Sequence, residues 1–207
     1  MTVMSAERLA DYVAALARIE KETRCRIDGV GAAVVPTLFG CVETQLIGLA
    51  ALAESSSMSF DDALGRFATS AALMRAGWSA DAFVLICEAF VGVGAAEDMA
   101  DLAGAFASGN TDVHECLLTI AVTTGGESIV LAFPYRYELG RRIIWQPPLD
   151  ASVLPSEAVV YLAMLDRALE GQTVPMPPDT EAAVNAIAEI ISESGFLVQT
   201  FANIEIP

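Results

Sequence analysis

Lysine is almost missing from this chain. Lys21 is the single lysine among 207 residues, the other cations are all arginine, and 27 acidic residues leave a formal net charge of −16. A surface this acidic repels phosphate backbones at long range, which argues against direct DNA or RNA binding and favours a partner with a basic surface. Histidine is as scarce: His114 stands alone, which restricts any mechanism built on imidazole. Cys25, Cys41, Cys87 and Cys116 are widely spaced with no CxxC. A disulfide framework belongs to small, core-poor secreted chains, whereas this one is 54% hydrophobic, so the expectation is buried free thiols in a reducing, cytoplasmic compartment.

Long clean apolar runs are missing too. The stretch 82–96 is short and carries Glu88, and 27–53 contains Asp28, Pro36 and Glu43. A membrane-spanning helix needs about 20 apolar residues, so neither qualifies. The opening residues MTVMSAERLADYVAAL have early charges and no apolar core, so no secretory signal is expected. No HExxH, P-loop, EF-hand or GxSxG spacing occurs. VGVGAAEDM approaches a dinucleotide fingerprint, but Glu97 fills the third glycine position and would repel a pyrophosphate; Gly29 and Gly31 fail similarly, with Val34 there. Asp112, His114, Glu115, Glu97, Asp98 and Asp101 lack metal-ligand spacing, so neither a metal nor a cofactor is expected.

Periodicity supplies the positive content. Leu9, Tyr12, Val13, Leu16 and Ile19 make a helical stripe, with Glu7 early and Lys21 and Arg24 late, as the helix dipole prefers. A second, weaker helix is expected over 43–53. In a third, Ser59 caps, Phe60, Leu64, Phe67, Ala71 and Met74 line one face, and Gly77 terminates. Further helices are expected over 97–107, over 156–170 closed by Gly171, and over 179–194, where Val184, Ile187, Ala188 and Ile191 face inward. The nearly unbroken apolar run AFVLICEAFV reads as a strand covered on both faces. Strands over 117–123, 128–133 and 142–145 follow as a meander, with a late one over 196–201 and an early one over 33–42. Helices flank a block of adjacent strands, which predicts a single α+β domain, an antiparallel meander of about four to five strands packed against several amphipathic helices. Its parts are a helical region over 1–77, the meander over 82–146, and C-terminal helices with a last strand over 151–207.

The stretch FPYRYELGRRIIW holds three of the eleven cations, two of four tyrosines and one of two tryptophans. Gly125-Gly126 predicts a two-residue turn that sets Val122 opposite Ile129, Ile120 opposite Leu131 and Leu118 opposite Phe133, all on one inward face. Extended, that register pairs Cys116 with Tyr135, His114 with Tyr137 and Glu115 with Arg136. A loop at Glu138-Leu139-Gly140 then sets Ile143 opposite Tyr135 and Trp145 opposite Phe133. It also lays Arg142 beside Arg136, with Glu115 as the anion between them. The aromatics are read as core. A Cys116–His114 nucleophile pair is disfavoured, since alternate residues on a strand lie about 6–7 Å apart.

The function expected is that of a non-enzymatic acidic binding protein, an inhibitor, immunity-type protein or assembly partner that docks on a basic macromolecular surface. Two alternatives remain open. One is a small enzyme or ligand-binding protein whose His114, Glu115, Arg136, Tyr137 and Arg142 converge on an anionic small molecule. The other is a structural subunit of a larger assembly, of a bacterium or phage, with homo-oligomerisation compatible with any of the three.

Overall fold

The computed structural model describes residues 4–26, 34–43, 45–52, 58–92, 113–137, 143–149, 156–172 and 180–205. Among them lie four helices, α1 (Ala6–Arg26), α2 (Phe60–Trp78), α3 (Ser156–Leu169) and α4 (Thr180–Glu193). Seven strands join them: β1 (Thr37–Val42), β2 (Gln45–Leu52), β3 (Ala82–Gly92), β4 (Val113–Thr123), β5 (Ser128–Tyr137), β6 (Ile143–Trp145) and β7 (Phe196–Glu205). The strands form one sheet in the order β6-β5-β4-β3-β1-β2-β7, every neighbouring pair antiparallel. The fold is α+β as expected, with seven strands rather than four to five.

One strand that had no counterpart among the expected ones is β2, where a helix was expected. Leucine and alanine in QLIGLAAL carry helical propensity, but burial alternates with period two: Leu46, Gly48, Ala50 and Leu52 are buried and the residues between are half-exposed. Pairing with β1 on one side and β7 on the other overrides the weak intrinsic preference. The expected helix over 97–107 lies outside the described residues.

Both faces of the sheet are apolar, and both are covered. On one face Phe67, Ala71, Met74 and Trp78 of α2, Leu165 of α3 and Ile191 of α4 pack on Leu38, Ala50, Leu85, Leu118 and Ile120. On the other, Leu9, Tyr12, Val13 and Leu16 of α1 pack on Val84, Ile86, Leu117 and Ala121. Ile19, read as part of the α1 stripe, is 52% exposed. Gly77 does not end α2, which runs to Trp78 and is capped by Ser79 in the left-handed conformation. Gly77 instead gives close passage to α4, since a methyl there would overlap Ile187. The Ser59 cap forms as expected, its hydroxyl accepting from the Asp62 N–H at 3.1 Å.

The β4–β5 hairpin corrects the expected register. Its loop has three residues, not two: the Gly126 N–H donates to the Thr123 carbonyl at 3.0 Å and the Thr123 N–H to the Glu127 carbonyl at 2.9 Å, with Gly126 at φ +80°. This is a turn followed by a left-handed residue, the commonest three-residue solution. Pairing shifts by one, so Val122 faces Ser128, Ile120 faces Val130, Leu118 faces Ala132, Leu117 faces Phe133 and Glu115 faces Tyr135. Leu118 and Phe133 therefore point to opposite faces, and both still meet apolar neighbours. Alternation pins a register only where one face is wet; here either register buries apolar side chains, so turn geometry decides. At the β5–β6 pair Tyr135 faces Trp145, Arg136 faces Ile144 and Tyr137 faces Ile143, a shift of two that preserves the faces but removes the expected Arg136–Arg142 pairing.

Asp81, just before β3, ties two turns together. It is 3% exposed, its Oδ2 accepts from the Glu43 N–H at 2.8 Å, its N–H donates to the Cys41 carbonyl at 2.9 Å, and its carbonyl accepts from the Thr124 N–H at 2.8 Å. Glu43 is a non-glycine residue at φ 58°, a conformation that costs roughly 1–2 kcal/mol and that the Asp81 carboxylate helps to hold. Burial pushes the Asp81 carboxyl above the ordinary carboxylate range, against the opposing pull of its backbone hydrogen bonds and Arg75.

Two outcomes are expected. Gly48 lies under the Trp78 indole, where a Cβ would come within 2.8 Å of both the ring and the Gln199 carbonyl, so Gly48→Ala should cost about 1–3 kcal/mol in urea unfolding. Because the folded-state pKa of Asp81 is raised, its contribution is fully present below the unfolded value and lost as pH rises through the folded value. Thermal melts should therefore show Asp81→Asn gaining on the native chain as pH rises above the unfolded carboxylate value of about 4, and a pH-independent difference would refute this assignment.

Candidate functional site

The α1-facing side of the sheet changes character toward the end that carries the start of β4 and the end of β5. Cross-strand partners there form a row of Phe90 on β3, Glu115 on β4, Tyr135 on β5 and Trp145 on β6. The row before it runs Glu88, Leu117, Phe133, and the row after it holds Tyr137 beside Ile143. Two carboxylates thus stand among five aromatic rings on one face.

Ring geometry shows that these side chains touch. Tyr135 meets Trp145 at a centroid distance of 5.1 Å and meets Tyr137 edge-on at 5.9 Å. The Tyr135 hydroxyl donates to Glu88 Oε1 at 2.6 Å, a short charge-assisted bond across the row. Glu88 and Glu115 are half-buried, whereas Tyr137 is 43% exposed and forms the open wall. From the penultimate turn of α1, Lys21 lays its ammonium 3.5 Å from the Phe133 ring centroid and 5.1 Å from that of Trp145. Ring quadrupoles attract a cation at such range. Burial pushes the Lys21 amine below its ordinary value, because the ammonium has given up water to sit there.

Of the residues expected to form a site, Glu115 and Tyr137 belong to this face. Strand alternation turns His114 and Arg136 to the opposite side, since His114 pairs with Val91 and Arg136 with Ile144. The shifted register removes the expected Glu115–Arg136 and His114–Tyr137 pairings. Arg142 lies outside the described residues. Lys21 and Glu88 were not anticipated as site residues, although each carried a signal: the lone lysine of the chain, and the lone charge in an eleven-residue apolar strand.

Cys116 has no nucleophile's environment. Its thiol donates to the His114 backbone carbonyl at 3.7 Å, and burial, reinforced by Glu115, pushes its pKa up to about 12. Cys41 is pushed equally high by burial beside Asp81. Cys41, Cys87 and Cys116 are buried and none of the three forms a disulfide; the Cys25 side chain lies outside the described residues. Among the described residues no group of three metal-ligating side chains occurs, and no helix is long and apolar enough to cross a membrane. A separate open groove of ≈ 650 Å³ lies on the other side of the sheet, between the start of α2 and the α4–β7 turn. Two of its charged groups are already engaged: Asp62 accepts from Ser59, and Arg66 donates to the Ser194 carbonyl.

Tyr135→Phe removes a donor from a half-buried carboxylate and should cost about 1–3 kcal/mol in urea unfolding, whereas Glu88→Gln keeps an acceptor and should cost less. No protein-family model, no curated protein and no solved structure matches this chain.

Proposed function

We propose that this chain is a non-enzymatic binding protein that docks on a basic surface of another protein through the Glu88–Glu115 end of its sheet. One observation carries the reading: two half-buried carboxylates stand among aromatic rings, and the cation resting on those rings is the chain's own Lys21. Such a face offers flat apolar area, a negative field and ring quadrupoles, which together suit lysine and arginine side chains. The net charge of −16 extends that field and speeds the approach of a basic partner. An anion pocket has less support, because His114 and Arg136 diverge from Glu115 and Tyr137 across the sheet.

The test is a titration with a lysine-rich heptapeptide. Affinity should fall steeply between roughly 0.05 M and 0.2 M salt as screening tightens. The double substitution Glu88→Gln with Glu115→Gln should weaken binding about tenfold, or about 1.4 kcal/mol, while Glu189→Gln with Glu193→Gln on α4 should change it less than about twofold. Equal losses from both pairs, or an affinity indifferent to salt, would remove this reading.

A further inference from the structure

Lys21 occupies the rings without being packed into them. It belongs to the final turns of α1, it is half-exposed, and its ammonium rests on two ring faces, those of Phe133 and Trp145. Ile19, two residues earlier and so on roughly the opposite side of the helix, is 52% exposed, which leaves Lys21 on the side turned to the sheet. A lysine stem has four rotatable bonds and can swing into solvent without moving the backbone.

We propose that Phe133, Tyr135, Tyr137 and Trp145 form a cage for the side-chain ammonium of a partner's lysine, held closed in the free chain by Lys21. This deepens the basic-partner reading above and rests on it. The rings supply the quadrupoles, Glu88 fixes Tyr135 through its hydroxyl, and Glu115 stands in the same row as Tyr135 and Trp145. Tyr137, 43% exposed, marks where a ligand enters. The chemistry also grades the ligands. A plain ammonium is strongly hydrated and loses water on entering, whereas a methylated ammonium keeps its charge, is weakly hydrated and suits an aromatic cage better. A partner lysine bearing methyl groups therefore displaces Lys21 more readily than an unmodified one.

The experiment uses the full chain, native and Lys21→Ala, titrated with a peptide carrying one trimethyllysine, the same peptide with plain lysine, and choline chloride. Binding is read by calorimetry and by the change in Trp145 emission, Trp78 being fully buried. Lys21→Ala is expected to bind the trimethyllysine peptide at least about tenfold more tightly than the native chain, with plain lysine weaker, and adding Trp145→Ala should abolish the gain. Should the alanine variant fail to fold, Lys21→Gln removes the charge while keeping a good helix former. The proposal is overturned if a variant with a native circular dichroism spectrum binds neither peptide more tightly than the native chain. It is equally overturned if choline binds while both peptides do not, which assigns the rings to a free small cation. In either case, salt-sensitive heptapeptide binding that still depends on Glu88 and Glu115 leaves the basic-partner reading standing.

Discussion

One helix is too narrow to cover a face of a seven-stranded sheet, and the rest of this molecule follows from that constraint. A helix with its side chains is about 10 Å across and strands are about 4.8 Å apart, so one helix shields two or three strands. Among the described residues, three helices pack on one face, while α1 lies over the centre of the other. The strands at the margins of that second face stay partly open, as Leu197 on β7 shows at 65% exposure. At the β5–β6 margin the sheet meets this condition with aromatic rings, two acids and the end of α1, instead of with aliphatic core. Among the described residues, the candidate site lies where the cover given by α1 ends.

Coverage of both faces also explains why hydrophobic pattern and register are uncoupled in the hairpin. Leu117 and Leu118 are both fully buried, on opposite sides. With no wet face to penalise a slip, the hydrogen bonds of Thr123, Gly126 and Glu127 choose the pairing. That choice carries chemical weight: it sets Glu115 beside Tyr135 and sends Arg136 to the other side. A loop one residue shorter would have set Glu115 opposite Arg136 instead.

Much of the architecture was legible in linear form. The stripe of α1, the Ser59 cap, the inward residues of α4 and the doubly buried run of β3 all obey local rules that the tertiary structure leaves in place. β2 was not legible, because Leu and Ala suit a helix as well as a buried strand and only β1 and β7 arbitrate. The site was half legible. Glu115 and Tyr137 of the expected set lie on the candidate face, but Lys21 is more than a hundred residues from Phe133 in the chain and reaches its ring only because α1 crosses that face.

What the amino-acid order determined by itself is a strongly acidic, apolar-cored α+β chain with buried structural thiols and one lysine, since composition, spacing and capping act within a few residues. Register, the partition of side chains between two covered faces, and the seating of that lysine on Phe133 and Trp145 were decided by the folded state. These are long-range outcomes: they depend on which surfaces remain uncovered after the helices have packed, and no local rule contains that information.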